Sequence, residues 1–184
     1  MRQFMARWLM VGMVVTTSIL VFPHSASAAS QDKFITESGE AAQPSQEAYG
    51  VPASVTVAQA ILESGWGGSE LATEAKNYFG MKCHDKQPGP IAVDCMKVDT
   101  HECDDDDCWG TKAYFRVYDS MSDSYKDHGQ YLKENPRYAA AFAHSDDADR
   151  FIKEVHRGGY ATDPKYTDKI VSLMKEYDLY RFNE

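Results

Sequence analysis

Positive charge is in short supply in this chain, and cysteine is confined to one stretch of it. Nineteen lysines and arginines stand against 28 aspartates and glutamates, a formal charge of −9 at pH 7. Non-specific nucleic-acid binding needs clustered cations, so no nucleic acid is expected as a partner. Cys83, Cys95, Cys103 and Cys108 all fall within 26 residues, with no Cys-x-x-Cys pair. Their intervening runs of eleven, seven and four residues match no common zinc pattern, although His84 and His101 lie alongside as a rival zinc reading. Missing too are a Gly-x-Ser-x-Gly elbow, a His-Glu-x-x-His pair and a phosphate loop, which removes serine-hydrolase, zinc-protease and nucleotide chemistry. No cofactor or metal is expected. Neither an internal repeat nor a low-complexity tract is present.

Long apolar runs are equally rare. The stretch Trp8 to Phe22 follows Arg2 and Arg7, is short for a membrane span, and precedes the small-residue site Ala26-Ser27-Ala28. Residues 1–28 therefore read as a signal peptide, with an uncleaved anchor as the alternative; either way the domain is exported, to the periplasm or the medium. Cleavage removes two arginines and no acid, moving the charge from −9 to −11. In an oxidising compartment four clustered cysteines imply two disulfides. Of three connectivities, Cys83–Cys95 with Cys103–Cys108 is favoured because both close short loops. Paired cysteines leave no thiol nucleophile for a cysteine peptidase or amidase.

Residues 29–48 are polar and weakly periodic, a tether or an N-terminal helix, and residues 49–184 form the main domain. Pro52 suits a first helical turn. Val55, Ala58 and Leu62 share a face, flanked by Val57 and Ile61, and Gly65 and Gly67 stop the helix, giving a span of about Ala53 to Ser64. A short helix is expected around Ser69–Ala75. Residues 80–118 change character. A Gln87-Pro88-Gly89-Pro90 turn cluster precedes an alternating Ile91 to Cys95, and Lys112 to Tyr118 alternates too, so a small β-lobe interrupts the helices. Three more helices follow: one capped by Ser120 with Asp123 in its first turn, one capped by Ser145 and stopped by Gly158-Gly159, and one from Tyr166 to Tyr177. The result is an α+β chain of one domain.

Glu63 is the residue on which the chemistry turns. It occupies the last turn of the apolar helix, where unpaired carbonyls carry about half a negative charge. That field, with desolvation by Leu62 and Trp66, disfavours the ionised carboxylate and raises its pKa. A carboxylic acid still protonated near neutrality is what a glycosidase needs to protonate a leaving oxygen.

The segments Ala58 to Gly67, Asn77-Tyr78-Phe79-Gly80-Met81-Lys82, Phe115-Arg116-Val117-Tyr118-Asp119-Ser120, His128 with Tyr131-Leu132, Asn135-Pro136-Arg137-Tyr138 and Gly159-Tyr160-Ala161-Thr162-Asp163-Pro164-Lys165-Tyr166 occur in that order. Together they resemble the glucosaminidase family of bacterial cell-wall hydrolases, glycoside hydrolase family 73, over roughly Tyr49 to Phe182. The resemblance implies a lysozyme-like fold with a cleft between a helical lobe and a disulfide-stapled β-lobe. It implies hydrolysis of the β-1,4 bond between N-acetylglucosamine and N-acetylmuramic acid, with peptidoglycan glycan strands as partner and a monomer as the working form. Glu63 is then the general acid and Glu102 the second carboxylate. The Cys103 to Cys108 insertion beside Glu102 departs from the family's plain hairpin, so Asp99 or Asp104 are alternatives. Tyr160 matches an active-site tyrosine, able to bond the acetamido group or stabilise charge at the anomeric carbon. Trp66, Tyr78 and Tyr166 are candidate sugar contacts, with core packing the alternative for the first two. His128 reads as a structural histidine and Phe79 as core. A non-catalytic glycan-binding module and a lytic transglycosylase are the competing functions.

Overall fold

The computed structural model describes residues 24–103 and 108–183, with side chains described except at 24–27, 100–103 and 108–111. Most of the expected signal peptide, residues 1–23, lies outside that range, as does Asp104. Six α-helices are described: α1 His24–Tyr49, α2 Ala53–Ser64, α3 Glu70–Ala75, α4 Met121–Glu134, α5 Ala148–Arg157 and α6 Tyr166–Glu176. Short 3₁₀ segments cover Pro136–His144 and Leu179–Asn183. Two antiparallel strands, β1 Asp94–Cys103 and β2 Cys108–Val117, form the small lobe. Among the described residues no helix is long and apolar enough to cross a membrane.

The helix α2 is the axis of the larger lobe. Every residue from Ala53 to Ile61 is buried, which departs from the one-sided pattern expected: α1, α5, α6 and the C-terminal 3₁₀ segment pack around it. Three alanines among those residues let these neighbours approach closely. Leu62, 37% exposed, and Glu63 are the exceptions, facing outward just before buried Ser64. Pro52 offers no side-chain cap, so the first amides of α2 find acceptors elsewhere. Ala53 N–H donates to Gln46 Oε1 at 2.6 Å and Ser54 N–H to Asn183 Oδ1 at 2.9 Å. Orphan donors at a buried helix start must be met; residues from both ends of the described chain meet them.

The segment at 29–48 is helix and belongs to the core: Phe34, Ile35, Ala41 and Ala42 are buried. It lies along α4, where a Cβ at Gly129 would come within 2.4 Å of Ser45 Oγ, so glycine permits the approach. Ser45 Oγ donates to the Tyr125 carbonyl at 2.9 Å, and the Ser38 and Tyr125 hydroxyls hydrogen-bond. Ser120 caps α4 by accepting from Asp123 N–H. For α5, Asp147 caps rather than Ser145, accepting from Arg150 N–H. Ser145 is in the αR region at the end of the 3₁₀ segment, whereas Asp147 is extended, as a cap requires.

In the small lobe, residues 81–83 run beside β2. Cys83 N–H donates to the Tyr114 carbonyl and Arg116 N–H to the Met81 carbonyl, at 2.8 and 2.9 Å. The disulfide Cys83–Cys95 joins this edge to β1, spanning 12 residues. Strand β1 begins at Asp94, later than the Ile91 expected. Register sets Cys103 opposite Cys108; their side chains lie outside the described residues. Buried Asn77 ties the lobes together. Its Nδ2 donates to the carbonyls of Met81 and Arg116, and its Oδ1 accepts from Met81 N–H, all at 2.9 Å. A second brace is buried Asp127 of α4, whose Oδ2 accepts from Arg116 Nη1 and Tyr118 Oη, each at 2.5 Å.

Candidate active site

A cleft of about 510 Å³ opens between the lobes. Glu63 lies on its helical side with Tyr131, Tyr138 and Tyr160, and Phe79, Met81, Lys82 and Arg116 line the rest. The carboxyl is placed by the abrupt end of α2. Gly65 adopts the left-handed conformation at φ 57°, followed by Trp66 at 62° and Gly67 at 72°. Position 67 needs glycine twice over, since a Cβ there would lie 2.8 Å from the Phe34 ring. Ser64 locks the turn: its hydroxyl donates to the Ala60 carbonyl at 2.5 Å and accepts from Gly67 N–H at 2.8 Å.

One side chain then holds the Glu63 carboxyl, and a second holds that one. Tyr166 Oη donates to Glu63 Oε1 at 3.1 Å, and Gln59 Nε2 donates to Tyr166 Oη at 2.9 Å. Glu63 is solvent-exposed through the mouth of the cleft, yet enough protein surrounds the carboxyl for desolvation to raise its pKa, while the Tyr166 bond pulls the other way and loses. Gln59 was not legible as a functional residue, although its spacing four before Glu63 puts the two on one helix face.

The phenols nearby are kept protonated. Burial pushes the Tyr160 hydroxyl well above its ordinary range, with the Glu63 charge adding to the effect. Tyr166 is raised by burial and then by Glu63. Tyr138 is pushed up to about 12, by burial and then its hydrogen bond with Tyr131. Glu63 therefore shares its cleft with neutral hydrogen-bond donors.

Other expected contacts lie elsewhere. Trp66 packs edge-on against Tyr177, ring centroids 4.9 Å apart, and against Phe34 at 6.2 Å. Tyr78 packs on Phe34 and Tyr125. Neither lines the Glu63 cleft; the positive φ values of the turn swing Trp66 back onto Phe34 and Tyr177. Tyr166 is buried and touches Glu63 rather than the open cleft. Glu102 sits on β1 opposite Trp109, with its side chain outside the described residues. Asp99 is exposed and paired with Lys112, which holds its carboxyl below the usual range. Phe79 is buried, and its ring stacks on that of buried His128 at 4.0 Å. His128 Nε2 in turn lies 3.0 Å from Tyr160 Oη, a partnership that spacing along the sequence did not reveal.

Comparison with known proteins identifies the family. The glucosaminidase profile, described as mannosyl-glycoprotein endo-beta-N-acetylglucosaminidase, matches residues 39–179. The chain is 34% identical over 152 residues to the peptidoglycan hydrolase FlgJ of Vibrio cholerae, covering 81% of this chain and 44% of that protein. It is 34% identical over 158 residues to the exo-glucosaminidase LytG of Bacillus subtilis, covering 84% and 54%. It thus spans about half the length of the curated relatives it matches. Among solved structures, the catalytic domain of the autolysin Auto from Listeria monocytogenes superposes with a TM-score of 0.73 at 28% identity, covering 86% of this chain and 93% of that one. A C-terminally truncated glycoside hydrolase domain of FlgJ from Salmonella typhimurium gives 0.65 at 32% identity, covering 80% and 97%. This chain belongs to the glucosaminidase family of glycoside hydrolases, with the lysozyme-like fold of its solved neighbours.

Proposed function

We propose that this protein is an exported endo-β-N-acetylglucosaminidase that hydrolyses peptidoglycan on the reducing side of N-acetylglucosamine. The observation that carries the reading is Glu63, a carboxyl at a helix end inside a cleft, with its pKa raised by desolvation and its orientation held by Tyr166. Two of the relatives, one a peptidoglycan hydrolase and one an autolysin, support the substrate. The cleft also continues past Arg116 and Tyr131 into a second depression of about 270 Å³, bordered by Pro90, Gln130 and Glu134. A longer groove suits an extended strand better than a single terminal sugar.

In this mechanism Glu63 begins protonated and gives its proton to the leaving oxygen as the glycosidic bond breaks. Tyr160 donates to the acetamido group or stabilises charge at the anomeric carbon. Glu102 on the β-lobe is the carboxylate that activates water or captures the carbon, unless the substrate's own acetamido group attacks first. Digestion of purified sacculi, with borohydride reduction of the new ends, tests the reading. N-acetylglucosaminitol is expected. Anhydro-muramic ends would instead mark a lytic transglycosylase, and no new ends a glycan-binding module.

The Tyr166 bond stabilises the ionised form of Glu63, so its removal moves the acid in a known direction. Tyr166→Phe raises the Glu63 pKa further, because desolvation then acts unopposed. A general acid works only below its pKa, so the alkaline limb of the kcat/KM profile should shift to higher pH in this variant. An unmoved or down-shifted limb would remove the hydrogen bond from the account.

A further inference from the structure

His128 is fully buried on α4, yet one of its ring nitrogens has been left without a partner. Nε2 meets Tyr160 Oη at 3.0 Å, while buried Nδ1 has no hydrogen-bond partner among the described residues. Phe79 covers one face of the ring, with centroids 4.0 Å apart and planes 12° apart, so the imidazole cannot easily turn. The Tyr160 ring stands across it at 88°. Only two neutral arrangements exist. With the proton on Nδ1, Tyr160 donates to Nε2 and a buried N–H is orphaned. With the proton on Nε2, His128 donates to Tyr160 Oη, and the orphan is a bare lone pair. Buried N–H groups without acceptors are the rarer and costlier kind. The second arrangement also leaves the Tyr160 proton free to point into the cleft.

We infer that His128 is a positioning residue: its Nε2–H occupies a lone pair of Tyr160 Oη and thereby aims the phenolic proton at the substrate. The inference deepens the proposed reaction and rests on Tyr160 facing the sugar there. Burial keeps the imidazole neutral, its pKa lowered to about 3, so the ring supplies one fixed donor across the working pH range. A hydroxyl that accepts one hydrogen bond is polarised and donates the next more strongly. His128 touches no substrate in this scheme and acts through Tyr160 alone.

Two measurements test it. Two-bond ¹H–¹⁵N correlation spectra of the wild-type protein read the tautomer directly; a protonated Nε2 with a bare Nδ1 is expected, and the reverse would overturn the inference. Kinetics on sacculi then compare His128→Phe, Tyr160→Phe and the double variant. Phenylalanine keeps the stack on Phe79 and removes the donor. His128→Phe should lower kcat about tenfold with a smaller change in KM, and Tyr160→Phe by about ten- to a hundredfold. The double variant should be no slower than Tyr160→Phe, because His128 has nothing left to position. If the two losses multiply, His128 acts independently of Tyr160 and the inference fails. Inactive wild-type protein would instead defeat the glycosidase reading, while the tautomer is still read separately.

Discussion

Glu63→Gln should abolish hydrolysis, by about a thousandfold or more, while the protein stays folded. The amide keeps the shape of the side chain and still accepts from Tyr166, but it has no proton to give a leaving oxygen. Stability should hold or improve slightly at neutral pH, and the sign follows from the raised pKa. A carboxyl that binds its proton more tightly when folded supports the fold at low pH, and that support is lost as pH rises from the unfolded pKa through the folded one. Glu63 is thus a residue retained at some cost to stability, and glutamine removes the cost. Turnover rates on sacculi and thermal melts at pH 7 check both halves. Substantial residual turnover would take Glu63 out of the mechanism.

Asp127→Ala should produce the largest loss of stability. Asp127 and Arg116 have side chains only 3% and 17% exposed, and the same carboxylate oxygen takes the Tyr118 hydroxyl. Removing it leaves the phenol without its acceptor and the guanidinium with only the Lys82 carbonyl, a loss of about 3–5 kcal/mol by the experience of buried pairs. The damage should be felt in the cleft as well. Arg116 lines it, and the backbone of Arg116 is where the Asn77 and Met81 bonds converge. Denaturant melts would show the midpoint falling; a change under about 1 kcal/mol would mean the pair behaves like an exposed surface bridge.

The elements with strong local punctuation were legible in the sequence. Pro52 and Gly65 bound α2 at Ala53 and Ser64, and Ser120 with Asp123 announced α4, because these residues act within a turn of themselves. The α+β class and the Cys83–Cys95 bridge followed from patterning and from short spacing, and the lysozyme-like fold from the family resemblance. What escaped depends on distance. The N-terminal segment, polar and weakly periodic, gave no sign that Phe34 and Ile35 complete the core, since α2, α4 and the C-terminal 3₁₀ segment make the surface on which α1 packs. Ser145 and Asp147 both suit a cap, and the preceding 3₁₀ segment decides between them.

The candidate site divides along the same line. That Glu63 ends a helix is local information. That Tyr166, steadied by Gln59, holds it is not, because Tyr166 is 103 residues away. The aromatic residues flanking the turn invite a role in stacking on sugars, yet the left-handed turn carries Trp66 onto Tyr177. The pairing of His128 with Tyr160 spans 32 residues and needs α4 and the loop after α5 to meet. That His128 is buried was readable; its contact with Tyr160 was not.

The claim on which everything else depends is that the fold keeps Glu63 protonated above the range of an ordinary glutamate. Carbon-13 NMR of the wild-type protein, following the Glu63 side-chain carboxyl through a pH titration, measures this most directly. The carboxyl should titrate above the ordinary glutamate value and move higher still in Tyr166→Phe. A titration at or below the ordinary value would contradict the account, for Glu63 would then be ionised at working pH and have no proton to donate.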